Sequence, residues 1–455
     1  MAENEGSQRV KEYFDALADA VCRPMPDAAE RVTLNLASEV SDFVRFNRGA
    51  VRQMTHVEQH EATVTLVDGQ RRISASISLG GDADADIGRL LALRSELAAD
   101  LSMVPPDPHL RMPQTVTDTC RDDTDAALAP LQDIVAQVIG ESAGLDLVGF
   151  YAAGPVVAAF ADSRGQRNWH RVRSFHLDWS LYCTGHPAVR DRAVKSTYAG
   201  SRWQAPDFSR RMAASRQRLA LLKRPARRLS PGAFRAWLEP AAVIEMLGTL
   251  GWGGFGIKAR RTGTSPLSAL EGGAASLSSR ILLTEATATG LAPAFTATGH
   301  VRPDEVPLIV AGRCAQPLAS ARSAAEFGVP ANADEDEYPV SLSLAGGSLD
   351  PAGALAALDT GLWIGNLWYL GYSDRQSCRM TGMTRFASFW VEGGEIVAPI
   401  DVMRFDDSFL RLFGEGLLAL SSDVERLPSN DTYGRRHLGS VTAPGALLAD
   451  MRFTL

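Results

Sequence analysis

Between Leu362 and Tyr372 apolar side chains fill both parities of the chain: Leu362, Ile364, Trp368, Leu370 and Tyr372 on one, Trp363, Leu367 and Tyr369 on the other. An extended strand sends alternate side chains to opposite faces, so this stretch needs burial on both. It predicts a central strand or the wall of a barrel. Farther on, Phe386, Phe389 and Trp390 run into Glu392-Gly393-Gly394-Glu395, and the Gly-Gly pair supplies the positive φ values of a tight hairpin. Ahead of both, Asp350-Pro351 offers an N-cap and a first-turn proline for a short helix over Ala352 to Leu358. The aromatic residues read as the core of a β domain, ligand stacking being the other use of such rings.

With 455 residues, 45% of them hydrophobic, the chain can bury two cores. The fold class expected is α+β: an N-terminal α/β domain with a small antiparallel sheet over residues 1–228, then a mainly β domain of curved, barrel-like antiparallel sheets over 229–455. A net charge of −7 argues against a general nucleic-acid or membrane-surface protein, since phosphate affinity needs clustered cations. Five cysteines stand far apart without a C-x-x-C, which excludes a disulfide framework and a thiolate zinc cluster and fits a reducing cytoplasm. The acidic, polar N-terminus lacks the order of a signal peptide, and no apolar run has membrane-spanning length. A cytoplasmic protein is expected.

Within the first half, Val32-Leu34-Leu36, Val44-Phe46, Val64-Leu66 and Ile73 to Leu79 alternate as short strands, with Asp68-Gly69 as a hairpin turn. Helical spacing marks Ile87 to Leu101 and Asp125 to Ile139; Val104 to Pro113 is too proline-rich for either regular element, and Leu147 to Phe150 and Val156 to Phe160 read as strands. The acidic runs Asp82 to Asp86 and Asp334 to Glu337 read as loops. Asp207 to Arg228 reads as an arginine-rich helix stopped by Pro225, either a linker with a solvated charged face or a nucleic-acid patch. The missing interleaved aromatics favour the linker.

Several segments of the second half come in a telling order: Gly361-Leu362, Leu367-Trp368-Tyr369, Asp374, Thr381-Gly382-Met383-Thr384-Arg385, Glu392 to Ile396 and Arg404-Phe405-Asp406-Asp407-Ser408. Together they resemble the signature of the TldD/PmbA (TldE) family. The resemblance implies a zinc peptidase scaffold in which H-E-x-x-x-H on a helix, with a late cysteine, holds the metal. Here Leu238 to Val243 resembles the start of that helix and Arg261 to Ser265 the segment that follows it. Counted back from the latter, the three helix positions fall on Gly248, Thr249 and Gly253, and the cysteine position on Leu438. Glycine and leucine offer no donor, and threonine is neither a useful base nor a common zinc ligand. No catalytic or metal residue is therefore expected in this chain, nor a cofactor; zinc is expected in a partner.

The departure matches the TldE (PmbA) side of the family, whose members pair with a metal-bearing TldD-type chain. The expected function is that of a non-catalytic subunit in a heterodimer cutting unstructured peptides; a stand-alone homodimer that binds without cutting is the alternative. By resemblance the dimer encloses a cavity, for whose lining Trp252, Phe255, Trp368, Tyr369, Tyr372 and Arg385 are the candidates. Other constellations are weaker. His56 and His60 sit in an alternating strand, where i and i+4 lie roughly 13 Å apart and cannot share an ion. Gly251 to Gly256 satisfies G-x-G-x-x-G but follows a helix rather than a strand. His170, His176 and His186 lie near Ser180 and Cys183 without a nucleophile elbow, and His437 stands alone.

Overall fold

The structure, a computed structural model, describes residues 2–123, 128–185, 187 and 189–454. In its first half, α1 (Ala2–Val21) precedes β1 (Arg31–Asn47), β2 (Ala50–Asp68), β3 (Arg71–Leu79) and α2 (Ala83–Asp100). Then come β4 (Thr119–Asp122), α3 (Leu131–Glu141), β5 (Asp146–Asp162), β6 (Arg167–Tyr182), β7 (Ala193–Gly200) and α4 (Ala205–Leu222). The seven strands form one sheet in the order β3-β2-β1-β5-β6-β4, with β7 also on β6. It is not the small sheet expected. The short runs fuse into β1 of 17 residues and β2 of 19, and the two strand segments after residue 146 fuse into β5.

Burial of both sheet faces explains the misreading. On one face Val32, Leu34, Leu36, Val44 and Phe46 of β1, with Phe175, Leu177 and Trp179 of β6, pack under the four helices; each such side chain contributes roughly 1.5–3 kcal/mol. The other face carries Thr33, Glu39 and Ser41 of β1 and Asn168, His170, Ser174 and His176 of β6, all buried. These polar residues interrupt the apolar alternation without interrupting the strands. Asp82 caps α2 by accepting from the Ala85 amide, so the run Asp82 to Asp86 opens a helix rather than forming a loop. Helix α3 starts after Pro130; the expectation of helix from Asp125 falls partly on residues 124–127, outside the described residues.

Helix α4 ends before Pro225, and its arginines are engaged. Arg210 pairs with Asp207, Arg211 with Glu425 and Arg218 with Glu239 at the start of the next helix. The basic face is thus largely an intramolecular fastening.

The second half holds β8 (Gly232–Leu238), α5 (Pro240–Gly251), β9 (Leu283–Glu285), β10 (Val306–Val310), β11 (Arg313–Cys314), β12 (Ser341–Leu344) and β13 (Gly361–Ile364). There follow β14 (Trp368–Asp374), β15 (Arg379–Met383), β16 (Ser388–Glu392), β17 (Glu395–Pro399), β18 (Arg404–Ser408), β19 (Leu417–Leu420), β20 (Glu425–Pro428), β21 (Ser440–Ala443) and β22 (Ala446–Phe453). They make a six-stranded sheet, β11-β10-β9-β12-β21-β20, and a nine-stranded sheet, β14-β15-β18-β22-β8-β13-β16-β17 with β19 on β22. Neither closes, and the expected α+β class with a mainly β second half stands. Helix α5 lies in the core beside both sheets, burying Ala242, Val243, Met246, Leu247 and Leu250.

The stretch with apolar residues on both parities divides. β13 is central, between β8 and β16, whereas β14 is an edge strand on which Trp368 and Tyr369 are exposed. The break falls at Gly365 to Leu367, where the Leu367 amide turns away to donate to Glu245 Oε2 at 2.7 Å. The hairpin between β16 and β17 has the expected geometry, with φ of 58° at Gly393 and 80° at Gly394, and Asp350 caps its short helix by accepting from the Ala352 amide.

A candidate cleft between the two halves

The polar face of the first sheet does not pack flush on the second half. Between them lies a cavity of about 990 Å³. Asn35, Thr63, His176, Asp178, Lys195 and Thr197 line its sheet side; Glu245 and Gly248 of α5, Tyr338, Asn366, His437 and Leu438 line the other. Strand register gathers the sheet residues: His176 and Asp178 are two apart on β6, Thr197 of β7 opposes Asp178, and Lys195 opposes Ser180. The Thr197 hydroxyl donates to Asp178, and Lys195 Nζ reaches Glu245 Oε1 at 3.3 Å across the cleft. Burial pushes the Glu245 carboxyl up to about 7, against the lowering pull of Lys195 and the Leu367 amide. His176 is held down at about 4 by burial, so its imidazole is neutral, and its Nε2 has no hydrogen-bond partner.

Arg436 fixes the loop that carries His437 and Leu438. Its guanidinium donates to Gly154 O at 2.9 Å, Ser174 O at 2.9 Å and Ser174 Oγ at 2.8 Å, and its amide donates to Glu39 Oε2 at 3.2 Å. The acceptor exists because the β1–β5 ladder skips Val40 and Ser41. There Gly154, at φ 139°, approaches so closely that a Cβ would lie 2.0 Å from Val40 O. No side chain larger than hydrogen fits.

The four positions expected to correspond to the family's metal ligands can be placed. Gly248 and Leu438 face the cavity. Thr249 is buried and spends its hydroxyl on Glu245 O at 3.1 Å. Gly253 lies beyond the end of α5 at φ 73°, where a Cβ would meet the Arg375 guanidinium. A zinc ion of the family's kind does not fit this donor set, and among the described residues no group of three or more His, Cys, Asp or Glu side chains is placed to hold a metal.

Of the six residues expected to line a cavity, none lines this one. Phe255 is fully buried in the core and cannot touch a ligand. Trp252 is 56% exposed at the end of α5; Trp368 and Tyr369, 43% and 81% exposed, stand with ring centroids 5.4 Å apart. Tyr372 donates its hydroxyl to Thr249 O at 3.1 Å, and Arg385 donates to Asp191 O. His56 binds Asp42 and His60 binds Ser38, each at 2.8 Å, so the two do not converge. His170 donates to Leu291 O at 2.9 Å, and His186 lies outside the described residues. Glu245 was missed by sequence reasoning, although a lone carboxylate inside the apolar run Ala241 to Leu247 was the available signal. Arg436 had none, its partners lying more than 250 residues away.

Residues 231–455 match the model of the PmbA/TldA metallopeptidase C-terminal domain. The second half of the chain is therefore metallopeptidase-related. Residues 231–455, just under half of the chain, belong to the C-terminal domain family of the PmbA/TldD proteins. Among solved structures it is similar to TldE from Thermococcus kodakarensis, at 11% identity and a TM-score of 0.78, over 97% of this chain and 100% of that one. It is also similar to a candidate modulator of a DNA gyrase from Thermotoga maritima MSB8, at 12% identity and a TM-score of 0.72, over 98% and 100%. A third, a candidate modulator of DNA gyrase from Bacteroides thetaiotaomicron VPI-5482, has 14% identity and a TM-score of 0.71, over 100% of both chains. No curated protein sequence matches the chain. Among the described residues no helix is long and apolar enough to cross a membrane.

Proposed function

We propose that this chain is a non-catalytic, TldE-like subunit that pairs in the cytoplasm with a zinc-bearing TldD-like chain and takes part in cutting unstructured peptides. The observation that supports the reading is the chemistry of glycine, threonine, glycine and leucine at Gly248, Thr249, Gly253 and Leu438, the positions matched by resemblance to the family's zinc ligands. The similarity of fold to TldE from Thermococcus kodakarensis supports it. In this reading the peptide lies in the cleft against the polar sheet face. The exposed rings of Trp252, Trp368 and Tyr369, beside the unpaired edge of β14, form a second contact for the peptide or the partner. Residues 1–228 and 229–455 act as the two walls.

The test is co-purification of this chain with TldD-like chains that carry an intact H-E-x-x-x-H, followed by zinc quantification and cleavage of an unfolded peptide by each component and by the mixture. The expected result is cleavage by the mixture alone, with zinc in the partner. Stoichiometric zinc in the isolated chain together with cleavage by it overturns the reading, and no gain on mixing points to a stand-alone homodimer.

A further inference from the structure

Past Asp178 and Lys195 the cleft continues into a recess of about 510 Å³, where Arg45, Arg52, Phe150 and Ser180 form the walls. Asp178, Lys195 and Asn430 line both spaces, so the two are continuous. The sheet register sets the arrangement. Arg45 opposes Phe150, and Phe150 opposes Asp178. The three side chains form one row on the inner face, with Arg45 roughly 10 Å from Asp178 at two strand spacings. Arg52 reaches the recess by a different route. Gln53 opposes Arg45 while Val51 opposes Phe46, which leaves Arg52 as the extra residue of a β-bulge. In an unbroken ladder its parity would point it to the helix-covered face; the bulge re-aims it inward.

Among the described residues neither guanidinium has a carboxylate partner. Arg45 lies 5.8 Å over the Phe150 ring, and Arg52 forms no ion pair among the described residues. Elsewhere along the cleft Arg72, Arg302 and Arg435 are each paired to an acid. The carboxylates of the main cavity, Glu61, Asp334, Glu335 and Asp336 among them, give way at Asp178 to these two unneutralised cations. Asp178 itself is engaged by the Thr197 hydroxyl and, at 3.5 Å, by the Asn430 amide.

We propose that Arg45 and Arg52 bind a carboxylate of the peptide lying in the cleft, either its terminal group or an Asp or Glu side chain, and thereby fix the direction in which it lies. A guanidinium presents its N–H donors in a fork that matches a carboxylate, and an apolar ring beside it strengthens the pairing by excluding water. The proposal rests on the reading of the cleft as a peptide site.

The test titrates the full chain with three fluorescein-labelled, unstructured ten-residue peptides free of other acidic side chains: a free acid, its C-terminal amide, and an amide with one internal Glu. Anisotropy is read for the wild type and for Arg45→Gln/Arg52→Gln. The wild type is expected to bind at least one carboxylate-bearing peptide about tenfold tighter than the plain amide, and the double variant to bind all three alike. Which peptide gains identifies the source of the carboxylate. Both arginines are exposed, and matching melting curves verify the fold; should the double variant fail to fold, Arg52→Gln alone is expected to lose about threefold of the preference. Equal wild-type affinities for the three peptides, or a preference that survives the substitutions, overturn the recess while leaving the peptide cleft standing. Failure of all three peptides to bind removes both.

Discussion

Replacing Arg436 with methionine keeps a long apolar stem and removes the guanidinium. Three bonds of 2.8–2.9 Å disappear, to Gly154 O, Ser174 O and Ser174 Oγ, together with a longer one of 3.5 Å to Ser41 Oγ, at a site where Arg436 is only 6% exposed. Hydrogen bonds to a charged group contribute about 1.5–3 kcal/mol each, so the lower bound for three is about 4–5 kcal/mol. Against this stands the cost of desolvating the cation, visible in a guanidinium pulled down to about 10 by burial. Removal, however, also strands two buried carbonyls and leaves Glu39, 2% exposed, without its countercharge. Breaking such a buried set costs about 3–5 kcal/mol, which we take as the expected loss. It is measured as the shift of the first urea transition followed by tryptophan fluorescence. A local readout separates it from general destabilisation: once the loop is released, trypsin should cut after Arg435 under conditions where the wild type resists. Ser174→Ala, which removes only the hydroxyl acceptor, should cost about 1 kcal/mol. A methionine variant within 0.5 kcal/mol of wild type (about the resolution of the assay) and equally resistant to trypsin would refute the reasoning.

Three further outcomes are expected. Burial pushes the Glu285 carboxyl up to about 7 from 4.5, so the folded state binds the extra proton between these values and stability falls as pH rises through that window. Glu285→Gln should flatten this dependence and gain about 1–3 kcal/mol at pH 8, and melting curves of unchanged pH slope would contradict it. Gly154→Ala should cost about 3 kcal/mol or more, since its Cβ would lie 2.0 Å from Val40 O; a soluble, normally melting variant would show that the ladder gap yields. Arg218→Ala breaks a pair with Glu239 whose side chains are 32% and 17% exposed, so a loss of about 1 kcal/mol, shrinking in salt, is expected in thermal melts.

Local chemistry was the legible part of this fold. Asp350 before proline, Gly393-Gly394 between apolar runs and the turn at Asp68-Gly69 each act through backbone geometry that a few neighbours determine, and each stands in the structure as expected. The residue identities at Gly248, Thr249, Gly253 and Leu438 needed no structure to read. Strand length was not legible, because Thr33, Glu39 and Ser41 look like loop residues until the second half of the molecule covers that face. Apolar residues on both parities between Leu362 and Tyr372 gave no sign that Leu367 leaves the strand to reach Glu245, or that Trp368 and Tyr369 end on an edge. The cleft was least legible, since it joins residues of β1, β6, β7, α5 and the loop before β21. Pairing register sets Asp178 beside the strand of Lys195, and packing of α5 across the cleft brings Glu245 to Lys195.

The skipped rungs at Val40 and Ser41 act as a socket, and the guanidinium of Arg436 is the plug. The first sheet is therefore incomplete until the last thirty or so residues arrive, which couples maturation of the leading segment to synthesis of the trailing one. A polypeptide severed near residue 228 should reassemble from its pieces less tightly without that cation, even with Arg211–Glu425 and Lys195–Glu245 still joining them, and a nascent chain still lacking Arg436 should expose a waiting carbonyl to water.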